Sequence, residues 1–127
     1  MHVNSPASLQ PWPGSTAYAC ARWALRGLHE ALRVDLHGTG VHSCHVIFGA
    51  VSSEYFDNNP GSYERVPAIA KMIPVLSPEQ CAETLLRLAH RPVPEVCEPL
   101  LLRMLMMPHG VVPGLTRMLS ARTGRKR

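Results

Sequence analysis

The stretch TAYACARWALRGLHEALRVDLHGTGVHSCHVIF, residues 16–48, decides the fold. Its leucines recur at the spacing of one helix face, at Leu25, Leu28, Leu32 and Leu36. This period predicts a helix over 16–37, with Ser15 as its N-cap and Gly38 just after its end. The apolar run 41–48 that follows predicts a buried strand. A helix, a short glycine turn and a strand make up half of a βαβ unit, so the sequence predicts a parallel sheet.

The elements on either side of this stretch are shorter. Residues 1–5 resemble the end of a strand, and Ser77 with Gln80 three residues later predicts a capped helix that Pro92 ends. The apolar stripe of that helix is predicted to be Cys81, Ala82, Leu85, Leu86 and Ala89. Three further elements are predicted: a short helix at 63–72, an edge strand at 93–97, and an apolar helix at 100–107 that Pro108 and Gly110 break.

Composition excludes several classes of protein. Of the 127 residues, 46% are hydrophobic and 17% charged, so the chain is neither disordered nor fibrous. No apolar run is long enough to span a bilayer, and no secretory signal is visible. The widely spaced cysteines, Cys20, Cys44, Cys81 and Cys97, predict reduced thiols and a cytoplasmic protein.

Charge is distributed unevenly along the chain. Residues 1–98 hold 7 basic and 9 acidic side chains, whereas residues 99–127 hold 6 basic and none acidic. The excess positive charge therefore belongs to the C-terminal segment. Because no aromatic residue accompanies the basic end at 124–127, we expect no nucleic-acid partner.

Tyr18 and Arg22 are the first candidates for chemistry. They lie four residues apart on the predicted helix and so share one face. A guanidinium beside a tyrosine can stabilise the phenolate and let it act as an acid or base. The spacing alone equally fits a packed surface aromatic and a solvated charge, so both interpretations stay open here.

The order of residues over 3–49 resembles the second half of a short-chain dehydrogenase/reductase. That family places a serine after a strand, then a loop with Pro-Gly, then Tyr-x-x-x-Lys on a helix. This chain has Asn4-Ser5, Pro13-Gly14, and Tyr18 with Arg22 at the lysine position. The similarity continues through 23–33 and 46–51 and, more weakly, to residue 97.

The resemblance implies a fold and a reaction. The fold would be α/β, with the C-terminal half of a Rossmann-type parallel sheet in residues 1–98 and a small helical extension over 99–127. The reaction would be NAD- or NADP-dependent oxidation or reduction of an alcohol/carbonyl pair, on a lipophilic small molecule. Ser5 would bind the substrate oxygen, Tyr18 would transfer the proton, and Arg22 would stabilise the Tyr18 phenolate.

Cofactor contacts follow from the same resemblance. Tyr18 and Arg22 would touch the nicotinamide ribose, and the loop through Gly49, Val51 and Ser53 would lie near the nicotinamide. The glycine-rich loop that binds a dinucleotide pyrophosphate between a strand and a helix is not found in the sequence. We therefore expect a truncated chain that is inactive and does not bind the cofactor on its own.

Two non-catalytic roles are the alternatives. The helix 16–37 could pair with a second copy or with a full-length relative, which would make the chain a dimerisation module. The apolar and basic segment 99–127 could dock on the sheet's own helices or rest on a membrane as a peripheral contact. A metal site is not expected, because on a strand at most two ligands of His42-Ser43-Cys44-His45 could converge.

Overall fold

The computed structural model describes residues 1–55, 57–61, 64 and 66–123. Within them, three strands form one parallel sheet in the order β1-β2-β3, with β1 at His2–Asn4, β2 at His45–Phe48 and β3 at Glu95–Glu98. Four α-helices accompany the sheet: α1 at Thr16–Asp35, α2 at Pro78–His90, α3 at Leu100–Val111 and α4 at Pro113–Thr123. Short 3-10 helices occupy Pro6–Ser8 and Ala68–Met72. The predicted α/β class with a parallel sheet is confirmed.

The central strand β2 is buried on both faces. Alternate side chains of this strand enter two separate core clusters, one under α2 and one under α3. The buried members of the first are Val46, Phe48, Leu76 and Leu88, and those of the second are Ile47, Ile73 and Leu102. Since all four residues of β2 are buried, its sequence shows an apolar run rather than an alternation.

The long helix α1 begins where predicted and ends two residues early. Gly38 adopts a φ of +79° after it, in the left-handed region that favours glycine. Ser15 occupies the N-cap position, but its side chain does not cap the helix. The Ser15 hydroxyl donates to the Trp12 carbonyl oxygen at 2.6 Å instead, so it closes the preceding turn.

Several predicted boundaries are wrong. The strand predicted over 41–48 begins at His45, because its pairing with the next strand starts at the bond from His45 N to Pro94 O. The edge strand lies at Glu95–Glu98 rather than 93–97. The predicted break at Pro108 does not occur, and α3 runs to Val111. The chain leaves the helix before Pro113, because a proline disfavours helical conformation in the residue that precedes it.

Two predictions touch residues that the structure does not describe. Of the helix predicted over 63–72, the part at Ala68–Met72 is a 3-10 helix. Tyr63 and Arg65 in that range, and the basic end at 124–127, lie outside the described residues.

The start of α2 is confirmed as a capping box. The Ser77 hydroxyl accepts from Gln80 N–H at 3.3 Å, and the Gln80 side chain accepts from Ser77 N–H at 2.8 Å. The predicted apolar stripe is wrong in part, since the Leu86 side chain is 63% exposed. The face that packs on the sheet carries Cys81, Thr84, Leu85 and Leu88.

Removing the cap should weaken α2. We expect Ser77→Ala to lower the free energy of unfolding by about 1 kcal/mol, because Gln80 N–H loses its acceptor. Urea unfolding measures this difference, and Ser52→Ala serves as the control because Ser52 is exposed in a loop. An unchanged midpoint in Ser77→Ala would show that the capping box contributes nothing.

Candidate active site

Two of the predicted site residues, Ser5 and Gly49, lie at the same edge of the sheet. Ser5 directly follows β1 and Gly49 directly follows β2, and the two strands are parallel neighbours. The carboxyl ends of parallel strands meet at one edge, where open α/β sheets bind their ligands. Helix α1, which carries Tyr18, contacts both β1 and the 3-10 helix Pro6–Ser8 that follows Ser5.

Asn4, the last residue of β1, connects this edge to α1. Its side chain is buried, and its Nδ2 donates to the Arg22 carbonyl oxygen at 3.0 Å and to His45 Nε2 at 2.7 Å. Its Oδ1 accepts from Ser5 N–H at 2.9 Å. Asn4 therefore ties the backbone of Ser5 to the turn of α1 that carries Arg22. The sequence motif contains Asn4, but its spacing does not predict these contacts.

Ser5 has a hydroxyl hydrogen available. Its Oγ accepts from Ala7 N–H at 3.3 Å, which makes Ser5 the cap of the 3-10 helix Pro6–Ser8. A hydroxyl that accepts one bond keeps its own hydrogen for another acceptor. Ser5 can therefore donate to an oxygen atom placed at the carboxyl edge.

Tyr18 and Arg22 are in direct contact. The guanidinium carbon of Arg22 lies 4.8 Å from the centre of the Tyr18 ring, within the range of a cation–π interaction. On the other side, the Trp12 ring lies 6.2 Å from that of Tyr18. The predicted shared face of these two residues is confirmed. In the part of the chain that the structure describes, no hydrogen bond joins the Tyr18 hydroxyl to Ser5 Oγ.

The loop after β2 is held in place at its first residues. Gly49 N–H donates to Glu98 O at 2.9 Å, and a Cβ at position 49 would lie 3.3 Å from Pro99 Cδ. Val51 forms an isolated parallel bridge with Leu76, in which the bonds use the residues before and after Val51. Among the described residues, no hydrogen bond uses Val51 N–H or C=O.

Ser53 is the last of the predicted cofactor residues. It is exposed, and its Oγ accepts from Tyr55 N–H at 3.4 Å. The structure thus places Ser53, Val51 and Gly49 on one loop beside the end of β1. Among the described residues, no hydrogen bond joins that loop to Tyr18 or Arg22.

A buried polar cluster under α1 was not predicted. His45 is fully buried, and its Nδ1 lies 3.0 Å from Glu95 Oε2, while its Nε2 accepts from Asn4. The hydrogens of Asn4 Nδ2 are therefore both used, and His45 must carry its proton on Nδ1. The side chains of Asn4, His45 and Glu95 form one continuous chain of contacts across all three strands.

Two residues of α1 complete this cluster. His29 is fully buried, its ring stacks on that of His45 with centroids 5.2 Å apart, and its Nδ1 lies 2.9 Å from Ser43 Oγ. Its Nε2 has no partner among the described residues. Arg26 and Glu30 are four residues apart, a spacing that predicts a weak ion pair on the outer face of α1, but Arg26 lies 3.2 Å from Glu95 instead. The reason is that Arg26 and His29 share the face of α1 that covers the sheet.

Burial and charge shift the protonation of this cluster. Burial lowers the pKa of His29, and the neighbouring His45 lowers it further. Burial likewise lowers the pKa of His2, followed by the positive amino terminus. The hydrogen bond from His45 keeps the pKa of Glu95 below its usual value despite partial burial, and Arg26 adds to that effect.

The folded protein should lose stability in mild acid. Because the histidine pKa values are lowered from 6.5, the unfolded chain binds more protons below that pH and is favoured. The contribution of Glu95 is lost at lower pH, as its carboxylate is protonated through its lowered folded pKa. We expect the free energy of unfolding, measured with urea, to fall between neutral pH and about pH 5.

A substitution tests which histidine causes this loss. His29→Leu removes a buried group that resists protonation, so it should flatten the pH dependence. His37→Leu is the control, because His37 is exposed beyond the end of α1. Equal slopes in both variants would assign the acid sensitivity to another group.

The cysteines and histidines form no metal centre within the described part of the chain, where no suitable group of three or more ligands occurs. All four cysteines are unpaired, as predicted. Burial raises the pKa of Cys97 to about 11 and, more weakly, that of Cys81. These two thiols are therefore poor nucleophiles near neutral pH.

A groove of about 690 Å³ lies elsewhere in the molecule, along β3 between α2 and α3. Thr84, Cys97 and Arg103 contribute to its walls. None of the predicted site residues lines it. The candidate site is thus an open edge of the sheet rather than this groove.

Comparison with known proteins agrees with the resemblance seen in the sequence. No family model matches the chain. Over 99 residues the chain is 33% identical to "Short chain dehydrogenase MYCFIDRAFT_6125" of Pseudocercospora fijiensis (strain CIRAD86). The match covers 76% of this chain and 32% of that protein, so the chain spans about a third of the length of the relative it matches. Over most of its length, the chain is similar to a short chain dehydrogenase.

Proposed function

We propose that residues 1–98 act as the C-terminal, catalytic half of an NAD(P)-dependent oxidoreductase with a Rossmann-type sheet. The substrate pair would be an alcohol and its carbonyl compound, of lipophilic character. One observation supports this most directly: Asn4 holds Ser5 beside the turn of α1 where Arg22 covers the Tyr18 ring. A hydroxyl donor and a tyrosine with a cationic neighbour are thereby presented at the carboxyl edge of a parallel sheet.

Tyr18 carries the proton in this proposal. In oxidation, its phenolate takes the proton from the substrate hydroxyl, and in reduction its hydroxyl returns one to the carbonyl oxygen. The guanidinium of Arg22 lies 4.8 Å from the ring centre, so it places a positive charge beside this proton carrier. Arg22 keeps the charge of a lysine but presents it as a planar group.

Ser5 positions the substrate. Its Oγ already accepts from Ala7 N–H, so its own hydrogen remains available for a substrate oxygen. A hydrogen bond to that oxygen stabilises the negative charge that develops there before the proton of Tyr18 arrives. The fixed backbone of Ser5, held by Asn4 Oδ1, keeps this donor in place.

The residues present fit the nicotinamide end of a cofactor. The unused N–H and C=O of Val51 offer a donor and an acceptor, which match the acceptor and donor of a carboxamide. Tyr18, Arg22 and Ser53 have polar atoms at or near the surface that could bind the ribose. When bound, the cofactor would give or take a hydride. The pyrophosphate would need a glycine-rich loop from outside these residues.

A chimeric protein tests the proposal. The matched third of the Pseudocercospora fijiensis dehydrogenase is replaced by the matched residues of this chain, and NAD(P)-dependent oxidation of alcohols is measured. We expect the chimera to oxidise a substrate of the parent. A folded chimera that binds NADH or NADPH but transfers no hydride would refute the catalytic role of these residues.

Pairing through α1 is the second candidate function. Helix α1 leaves three large apolar side chains partly exposed, with exposed fractions of 44% for Trp23, 49% for Leu28 and 76% for Val34. A non-catalytic module would use this surface to bind a second copy. Sedimentation velocity tests this function on the wild type and on the double variant Trp23→Gln with Leu28→Gln. A wild type that is dimeric and a double variant that is monomeric would support pairing through α1.

A further inference from the structure

We propose that α3 and α4 together form an anchor that lies on an anionic lipid surface. This inference is independent of the oxidoreductase proposal, because it concerns helices outside the candidate active site. It rests on an outward apolar stripe, on the sign of the neighbouring charges, and on the length of the helices.

Helix α3 has two opposite apolar faces. One face packs on the core through buried Leu102, with Leu105 and Met106 partly buried beside it. The other face carries large side chains at the spacing i, i+4, i+7 and i+11, which places them in one line along the helix. Their exposed fractions are 62% for Leu100, 56% for Met104, 62% for Met107 and 82% for Val111. A helix that only covered the sheet would need the first face alone.

Helix α4 also exposes apolar side chains. Leu115 and Met118 are 50% and 41% exposed, and Arg122 lies on the same face at the spacing i+7 from Leu115. The helix packs against α3. Apolar side chains next to an arginine on the exposed face of a short helix are typical of helices that lie at the boundary between headgroups and acyl chains.

The charges decide between lipid and a second copy of the chain. Residues 99–127 contain 6 basic and no acidic side chains. Arg103, Arg117 and Arg122 are exposed and form no ion pair within the described residues. A second copy on the same surface would bring like charges together, whereas anionic headgroups neutralise them.

Contact from one side fits the helix lengths. In the described part of the chain, no helix is long and apolar enough to cross a membrane. Helices of this size can instead lie parallel to the surface with Met104 and Met107 inserted among the acyl chains. The flexible methionine side chains suit an irregular surface.

Vesicle co-sedimentation tests the proposal with the whole chain. Most of the protein should sediment with vesicles of phosphatidylcholine and phosphatidylserine. A much smaller fraction should sediment with vesicles of phosphatidylcholine alone. Added salt should weaken the binding, because it screens the arginine charges. Equal pelleting by both kinds of vesicle, or by neither, would overturn the proposal.

Two pairs of variants locate the contact. Met104→Glu with Met107→Glu should weaken binding more than tenfold, because charge enters the inserted face. The matched control is Val34→Glu with Leu86→Glu, which makes the same change in net charge at exposed positions of α1 and α2. This control should stay within about threefold of the wild type, since its charges lie away from the surface.

The arginines are tested separately. Arg103→Gln with Arg122→Gln should weaken binding to the anionic vesicles by about fivefold for each arginine. Arg33→Gln with Arg91→Gln is the matched control. Circular dichroism confirms that each variant is folded. A methionine variant that sediments with vesicles to the same extent as its control would refute the lipid surface as the partner. So would a wild-type protein that binds no lipid but forms a dimer, if the methionine variant is monomeric.

Discussion

Tyr18→Phe should lower the turnover of the chimeric dehydrogenase by about 100-fold or more, which is the contribution of a well-placed acid or base. The substitution removes only the hydroxyl oxygen, so the ring keeps its contacts with Arg22 and Trp12. Steady-state rates with a saturating cofactor measure the effect. Turnover in the variant that stays close to that of the parent chimera would remove Tyr18 from the proton transfer.

Arg22 provides the matching control. If its role is to supply positive charge beside Tyr18, Arg22→Lys should keep the activity of the chimera or raise it, and Arg22→Gln should lower it. The distance of 4.8 Å from the guanidinium to the ring leaves room for an ammonium at the same place. Complete loss of activity in Arg22→Lys would mean that the planar guanidinium itself is required.

Sequence patterns predicted the elements whose formation depends on residues that are close together in the sequence. The leucine period predicted α1, and Ser77 with Gln80 predicted the capped start of α2. The shared face of Tyr18 and Arg22 follows from helix geometry, and the structure confirms it. These features depend on residues within one or two turns of each other, so the sequence alone contains the information.

Contacts between distant residues could not be predicted in this way. Asn4 and His45 are 41 residues apart, and His45 and Glu95 are 50 apart. Their contact depends on the register of three parallel strands, which places His45 opposite both His2 and Glu95. The helix spacing of His29 fits both a surface histidine and one with hydrogen-bond partners, and His29 is buried because α1 covers this polar part of the sheet.

The end of the chain shows a similar limit. The apolar composition of residues 99–122 predicted that this segment docks on the rest of the fold or rests on a membrane. Leu102 does pack on Ile47 of the sheet. Composition could not show that α3 would keep a second apolar face outward, because this depends on which side of the helix meets the core. Because α3 continues through Pro108 to Val111, the side chain of Val111 keeps the outward direction of the earlier turns.

Asn4→Ala should lower the free energy of unfolding by about 3 kcal/mol, since burying unpaired polar groups costs about 1–3 kcal/mol each. The change leaves the Arg22 carbonyl oxygen, His45 Nε2 and Ser5 N–H without the partners that Asn4 supplies. Urea unfolding at neutral pH gives the difference. Asn58→Ala is the control, because Asn58 is exposed in a turn, and it should change the free energy by less than about 0.5 kcal/mol.

The variant Asn4→Asp separates hydrogen bonding from simple packing. An aspartate has nearly the shape of asparagine and can still accept from Ser5 N–H, but its carboxylate cannot donate to His45 Nε2. Asn4→Asp should therefore lower the free energy of unfolding at neutral pH although it keeps the shape of asparagine, because His45 Nε2 loses its donor. An Asn4→Asp variant as stable as the wild type would mean that Asn4 contributes by its shape and not by the bond to His45.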